Sequence, residues 1–192
     1  AVDGPARCAR TSEGYAICYD WLVMAPGDVT DYFGHPEWAA YAPGLKTVED
    51  ALAVRRRVLL AFERAESEPD RQRRRAHLTF IVVGGGATGV ELAGAIGEMK
   101  NYTLRHEFRA IDPRDARILL VDAGERILPG FDPALSARAH RDLQQLGVEV
   151  QTRTFVTDVG IDYIIAGDQR IATSCVLWSA GTRGAPVLAS LG

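Results

Sequence analysis

Three glycines in the middle of this chain have the spacing of a phosphate-binding loop. The loop has the pattern G-x-G-x-x-G and consists of Gly84, Gly85, Gly86, Ala87, Thr88 and Gly89. In this pattern the first glycine allows a tight turn, the second lets a pyrophosphate approach the backbone, and the third lets a helix pack closely. Unpaired amides at the start of that helix would bind the phosphates. These six residues are therefore candidate cofactor-binding residues for a dinucleotide.

A carboxylate follows the next predicted strand. Asp122 comes directly after the apolar run 117–121, where a carboxylate can accept both hydroxyls of an adenosine ribose and repel a 2′-phosphate. The sequence therefore favours NAD(H) over NADP(H). Asp122 lies 33 residues beyond Gly89, whereas the fingerprint places the acid about 20 residues on. We interpret the surplus, within 100–115, as a lengthened helix and connection.

Two alternatives remain open at this end of the predicted site. Asp122 could be a solvated carboxylate at a strand end, with no ligand. Arg126, four residues further on, is the nearby cation that could favour a phosphate instead.

The elements around the loop predict an α/β fold, a Rossmann-like dinucleotide-binding domain with a parallel sheet and an antiparallel β-meander. Apolar runs predict strands over 77–83, 117–121, 148–150 and 174–178. A helix is predicted over 90–99, and another begins at Pro133 after the N-cap Asp132 and ends at Gly147. The second helix has the apolar stripe Leu135, Ala139, Leu143 and Leu146. Alternating segments over 152–166 predict the meander, with a hairpin at 167–168.

The first 76 residues predict a second, incomplete region. The run 21–24 is typical of a strand that is buried on both faces. The stretch 31–45 is typical of a packed aromatic loop, and Thr47 is typical of the start of a helix. The basic run 71–75 predicts a solvated connector rather than an anion-binding surface. We divide the chain into 1–48, the remnant of an FAD-binding domain, 49–76, a connecting helix and basic linker, and 77–192, the NAD(H)-binding domain. The alternative for 1–48 is a small self-contained meander.

Composition narrows the class of protein. The 192 residues are 47% hydrophobic and 24% charged, with a net charge of −3, which argues against a nucleic-acid partner. No apolar run reaches the ~18 residues that span a bilayer. The cysteines Cys8, Cys18 and Cys175 have no C-x-x-C spacing, so the sequence indicates neither a disulfide nor a metal site, and favours a reducing compartment.

Five stretches together carry a resemblance to a known family. They are YDWLVMAPG, YFGHPEWAAYAPGLKTVEDAL, FIVVGGGATGVELAGAI, FRAIDPRDARILLVDAGERILP and VLWSAG. Through them, residues 16–192 resemble the central, NADH-binding part of type II NADH dehydrogenases (NADH:quinone oxidoreductases). That family belongs to the FAD/NAD(P)-binding superfamily of pyridine nucleotide-disulfide oxidoreductases.

The resemblance implies an enzyme that oxidises NADH through FAD and passes the electrons to a quinone. It implies that the glycine loop and the strand-end acid hold NADH, and that Glu91, the candidate catalytic residue, lies near the nicotinamide and the flavin. Ala180 and Gly181 correspond to small residues against which the nicotinamide rests. Gly27, in the stretch APG, corresponds to a flavin contact, although Pro26 replaces the usual threonine and removes a hydroxyl and a backbone donor.

Other functions remain open. The chain could be an NAD(H)-binding module without catalysis of its own, or part of another NAD(P)H-dependent FAD oxidoreductase of the disulfide or ferredoxin reductase type. Because the flavin G-x-G-x-x-G does not occur in the sequence, we expect this chain alone to be inactive and largely free of FAD. We expect the full-length parent to be cytoplasmic and peripheral to the membrane. Exposed apolar surface at the first strand and around Trp38 would favour self-association or a homodimer.

Overall fold

A computed structural model describes residues 2–191 of the chain. They form two compact units, unit 1 with the residues up to Val29 and from Thr182 onward, and unit 2 with Thr30–Gly181. The helices are α1 (Val48–Ser67), α2 (Arg71–His77), α3 (Ala87–Glu98) and α4 (Pro133–Gln145). The strands are β1 (Val2–Asp3), β2 (Cys8–Arg10), β3 (Ala16–Cys18), β4 (Asp28–Thr30), β5 (Thr79–Val83), β6 (Arg117–Val121), β7 (Val148–Gln151), β8 (Val156–Val159), β9 (Tyr163–Ala166), β10 (Gln169–Ala172), β11 (Cys175–Trp178) and β12 (Thr182–Gly184).

A four-stranded parallel sheet forms the centre of unit 2. Its strand order is β11-β5-β6-β7, and β5 and β6 run side by side so that Val83 pairs with Val121. Both strands consist mainly of Val, Ile, Leu and Phe because both of their faces are buried. The antiparallel meander β10-β9-β8 follows β7. The predicted α/β fold, with its parallel sheet and antiparallel meander, is confirmed.

Two apolar layers cover the central sheet. On one face, Phe62 of α1 packs against Phe80 of β5, with ring centroids 5.0 Å apart, and α3 and α4 complete this layer. On the other face, the meander and the loop that contains Trp38 pack against Ile81 and Leu119. Trp38 itself is only 4% exposed, but Phe33 in the same loop is 63% exposed, so the expected exposed apolar surface is present in this loop although not at Trp38.

The long connection before β6 explains the unusual position of Asp122 in the sequence. After α3 the chain continues into a π-helical turn, Met99–Thr103, and reaches β6 through a 3-10 turn, Pro113–Asp115. The buried Lys100 ties this segment to the sheet by donating a hydrogen bond of 2.7 Å to the carbonyl oxygen of Ala116. The predicted lengthened helix and connection is therefore present.

One prediction about the first 76 residues was wrong. Residues 21–24 form no strand, and the side chains of Trp21 and Val23 are 93% and 90% exposed. A buried strand needs hydrogen-bonded neighbours, and the described residues provide no ladder beside this run. The basic run forms the short helix α2, none of whose residues is buried, so it is solvated as predicted. Asp70 caps this helix by accepting from the amide of Arg73 at 2.8 Å, and arginine is a good helix former.

Two further details differ from the expectations. Cys8 and Cys18 form a disulfide that joins β2 to β3 in unit 1, so the prediction of no disulfide was wrong. Their pairing depends on the antiparallel register, which the bare spacing of the cysteines does not show.

On α4, Leu135 is exposed and Ser136 is buried instead, since the hydroxyl of Ser136 donates to the carbonyl oxygen of Ile127 at 2.6 Å.

The division into 1–48, 49–76 and 77–192 remains a prediction about domain organisation. Among the described residues, no helix is both long and apolar enough to cross a membrane.

Candidate functional site

The glycine loop leaves β5 through a turn that requires glycine. Gly84 has φ +108°, a conformation that side chains rarely adopt. Its amide donates to the carbonyl oxygen of Val121 at 2.8 Å, and a Cβ at this position would lie 2.6 Å from the amide nitrogen of Ala180. The first glycine therefore lets three neighbouring strand ends meet closely.

The other two glycines of the motif have opposite surroundings. A Cβ at Gly89 would collide with the carbonyl oxygen of Gly84, so α3 can pack at this distance only with glycine. A Cβ at Gly86 would meet nothing within 4 Å. Gly86 is also the N-cap residue of α3 and has no side chain to cap the helix. The first turn of α3 thus offers amide donors beside open space, as a pyrophosphate requires.

Asp122 is fixed against this loop by two hydrogen bonds. Its Oδ2 accepts from the amide of Gly85 at 2.5 Å, and its Oδ1 accepts from the amide of Gly124 at 2.7 Å. Each carboxylate oxygen can accept a further hydrogen bond, so the side chain can still receive two ribose hydroxyls. The strand-end acid and the glycine loop are therefore hydrogen-bonded to each other, and we call the pair Gly85 and Asp122 the corner of the site.

Arg126 is committed to its own loop. Its guanidinium group donates to the carbonyl oxygens of Leu128 at 3.0 Å, Pro129 at 2.7 Å and Phe131 at 3.0 Å. These contacts use three of the five N–H donors of the guanidinium group and hold it against its own loop, which argues against the alternative that Arg126 selects NADP(H).

A cavity of about 730 Å³ connects the corner at Asp122 to the end of β11. The predicted site residues that line it are Gly84, Gly86, Asp122, Ala180 and Gly181. Sequence reasoning did not identify its aromatic walls, which are formed by Phe33, His35, Trp38, Phe155 and Trp178. The stretches YFGHPEW and VLWSAG contain four of these five rings, so the resemblance could have signalled them.

The aromatic end of the cavity is held by specific contacts. The indole Nε1 of Trp178 donates to the carbonyl oxygen of Asp31 at 2.9 Å. The ring of His35 stacks on Trp38 with centroids 4.1 Å apart. Gly181 has φ +73°, and a Cβ there would lie 2.5 Å from Cζ of Phe33. The close approach of Phe33 to this backbone therefore requires glycine at position 181.

Some predicted site residues lie outside the cavity lining. Four of them belong to the loop and the first turn of α3 without lining the cavity, and they are Gly85, Ala87, Thr88 and Gly89. Glu91 is exposed on α3. Gly27 lies in unit 1 just before β4, with φ +74°.

Comparisons with known proteins identify the family of this chain. The profile of the family described as "Pyridine nucleotide-disulphide oxidoreductase" matches residues 3–192. The chain is 46% identical over 172 residues to the type II NADH:quinone oxidoreductase Ndh of Mycobacterium tuberculosis, and 44% identical over 174 residues to NdhA of the same organism. These alignments cover 87% and 88% of this chain and 37% of each relative.

A solved structure has the same fold. NDH2 from Plasmodium falciparum in complex with NADH superposes with a TM-score of 0.81 at 22% identity, over 93% of this chain and 38% of that one. The chain thus spans well under half the length of the relatives it matches. The resemblance identified from the sequence is confirmed: the chain belongs to the pyridine nucleotide-disulphide oxidoreductase family and is similar there to the type II NADH:quinone oxidoreductases.

Proposed function

We propose that unit 2 is the NADH-binding part of a flavin-dependent NADH:quinone oxidoreductase. The observation that carries this proposal is the hydrogen-bonded corner of Gly85 and Asp122, beside the uncapped start of α3. This corner opens into a cavity long enough to run from a ribose site to an aromatic end. The similarity to Ndh and NdhA supports the choice of reaction.

The cavity fits NADH in one direction. The adenosine ribose would donate to the carboxylate of Asp122, and the pyrophosphate would lie over Gly86, where no side chain intrudes. The nicotinamide would then rest on Ala180 and Gly181, next to the rings of Phe33 and Trp178. NADH supplies a hydride, and transfer requires its ring to be held near contact with an acceptor. These residues bind and orient the donor.

The acceptor side of the reaction belongs to the whole parent protein. The described residues contain one strand–glycine loop–helix unit, which NADH occupies in this proposal, so they provide no second pyrophosphate site for FAD. We therefore expect this chain alone to bind NADH without retaining FAD. In the parent, the exposed Glu91 would act near the nicotinamide and the flavin, and Gly27 would contact the flavin.

We also propose that the parent passes its electrons to a quinone at the cytoplasmic face of a membrane, as a peripheral protein. The printed names of the relatives support the quinone as acceptor.

The binding mode can be tested by NMR on the isotope-labelled chain. On addition of NADH we expect large shifts of the amide signals of Gly86, Ala87, Thr88 and Ala180, while signals from β9 and β10 stay unchanged. Shifts confined to residues outside the cavity would contradict the proposal. Flavin absorbance in the purified chain would contradict its second part, that FAD is not retained.

A further inference from the structure

A second concave site lies at the opposite edge of the central sheet. It is a groove of about 760 Å³ between α2, the first residues of β5 and β6, and the strand β10. We call it the arginine groove. Five arginines line it, and they are Arg71, Arg74, Arg75, Arg117 and Arg170. Asp115 is the single carboxylate among its described lining residues.

Only part of this positive charge is balanced. Arg117 forms an ion pair with Glu149, with two hydrogen bonds of 2.8 Å, and Arg170 lies 4.0 Å from Asp162. Across the described part of the chain, the side chains of Arg71 and Arg75 have neither a hydrogen bond nor an ion pair. This concentration of charge is unusual in a chain whose net charge is −3.

The arrangement of the free arginines favours a ligand over a merely solvated face. Arg71 and Arg75 are four residues apart, so they lie on the same side of α2, where like charges repel each other. Arg74 lies between them and is held in place, because its Nε donates to the carbonyl oxygen of Glu68 at 2.9 Å. Arg117 and Arg170 approach the same groove from the other wall.

Arginine side chains line this groove from two walls, and Arg71 and Arg75, unpaired within the described residues, have donors free for a ligand. The planar fork of an arginine binds two oxygens of a phosphate at once, and adjacent forks can bind successive phosphates. We propose that the arginine groove binds an anion that carries two or more phosphate groups. Such an anion can be a free polyphosphate compound or the headgroup of a diphosphatidyl lipid.

The groove is independent of the proposed NADH site. It opens at the amino ends of β5 and β6, whereas the glycine loop and Asp122 follow the carboxyl ends of the same strands. Strands of five residues separate the two edges by about 13 Å. Occupation of the groove therefore leaves the NADH cavity free.

The test uses sodium tripolyphosphate as the soluble probe, in calorimetric titrations of the whole chain at low salt. We expect saturable binding of one probe per chain, weakened at least about tenfold in the double variant Arg71→Gln, Arg75→Gln. The matched control is Arg55→Gln, Arg73→Gln, which removes the same charge from exposed positions outside the groove. We expect the control to bind within about twofold of the parent chain. Glutamine preserves helix propensity, and circular dichroism checks that both variants fold.

A second arm separates the two sources of the phosphates. Phosphatidylcholine vesicles are prepared with and without diphosphatidylglycerol, and binding is followed by co-sedimentation. Retention on the anionic vesicles that depends on Arg71 and Arg75, without binding of tripolyphosphate, would assign the ligand to the membrane. Equal weakening in the control variant, competition between tripolyphosphate and NADH, or binding of neither probe would overturn the proposal.

Discussion

The amide nitrogen of Gly85 and Oδ2 of Asp122 are joined by a hydrogen bond of 2.5 Å, although 37 residues separate them. The contact exists because β5 and β6 are neighbours in the sheet, with Val83 paired to Val121. The extra residues between them lie in the segment that leads into the start of β6. They therefore lengthen the offset of the motif without moving the acid away from the loop.

The three glycines of the motif should respond differently to alanine. Gly86→Ala should fold normally, because its Cβ meets nothing within 4 Å, but NADH binding should weaken at least about tenfold since the methyl group occupies the phosphate position. Gly89→Ala should instead lower the free energy of unfolding by about 1–3 kcal/mol, because its Cβ collides with the carbonyl oxygen of Gly84. Urea unfolding and NADH titration of both variants measure this difference. A stable Gly89→Ala variant, or a Gly86→Ala variant with normal affinity, would contradict these roles.

Asp122→Asn should lose part of the discrimination between the two dinucleotides. The variant removes the charge that repels a 2′-phosphate, and we expect the ratio of NADPH to NADH dissociation constants to fall about tenfold, or about 1.4 kcal/mol. Glu125→Gln is the matched control, because it removes the same charge from an exposed side chain outside the cavity lining. Parallel fluorescence titrations give the ratio, and equal changes in both variants would assign the effect to general electrostatics.

The cysteines should differ in reactivity with an alkylating reagent. Burial raises the pKa of the Cys175 thiol to about 12, so the reactive thiolate is scarce at neutral pH and the sulfur is inaccessible. Without reductant, we expect no alkylation of the folded chain, since Cys8 and Cys18 are bonded to each other. Peptide mass spectrometry should show a Cys8–Cys18 cross-link, and Cys175 should react only after unfolding. Rapid alkylation of Cys175 in the folded chain would show that β11 is not buried as described.

The sequence alone predicts the central sheet of unit 2 and the glycine loop, because strand length, turn residues and helix caps in this part of the chain all indicate the same structure. It was insufficient wherever a partner distant in sequence decides the outcome. The apolar run at Trp21 was read as a strand by its composition, yet a strand forms only beside another strand. Likewise, the role of Phe33 in the cavity depends on its contact with Gly181, nearly 150 residues away.

His77 should make stability depend on pH below neutrality. Its pKa is lowered, mainly by burial and also by Arg64, while Glu68 acts in the opposite direction. The unfolded chain therefore binds this proton more readily, so stability is complete above about pH 6.5 and declines as pH falls towards the folded pKa. His77→Gln should remove this part of the decline. Urea unfolding at about pH 7.5 and about pH 5.5 measures it.

The control for this effect is His106→Gln, whose ring is exposed. We expect it to retain the pH dependence of the unsubstituted chain. Identical pH dependence in all three proteins would contradict the role of His77.

The most direct test of the proposed function is a titration of the chain with NADH and NADPH in parallel, followed by quenching of tryptophan fluorescence. Trp38 and Trp178 line the cavity and should report its occupation. With Asp122 fixed at the corner and Arg126 held by its own loop, we expect saturable NADH binding at least about tenfold tighter than NADPH binding. Tighter binding of NADPH, or no saturable binding of NADH, would contradict the assignment of this cavity to NADH.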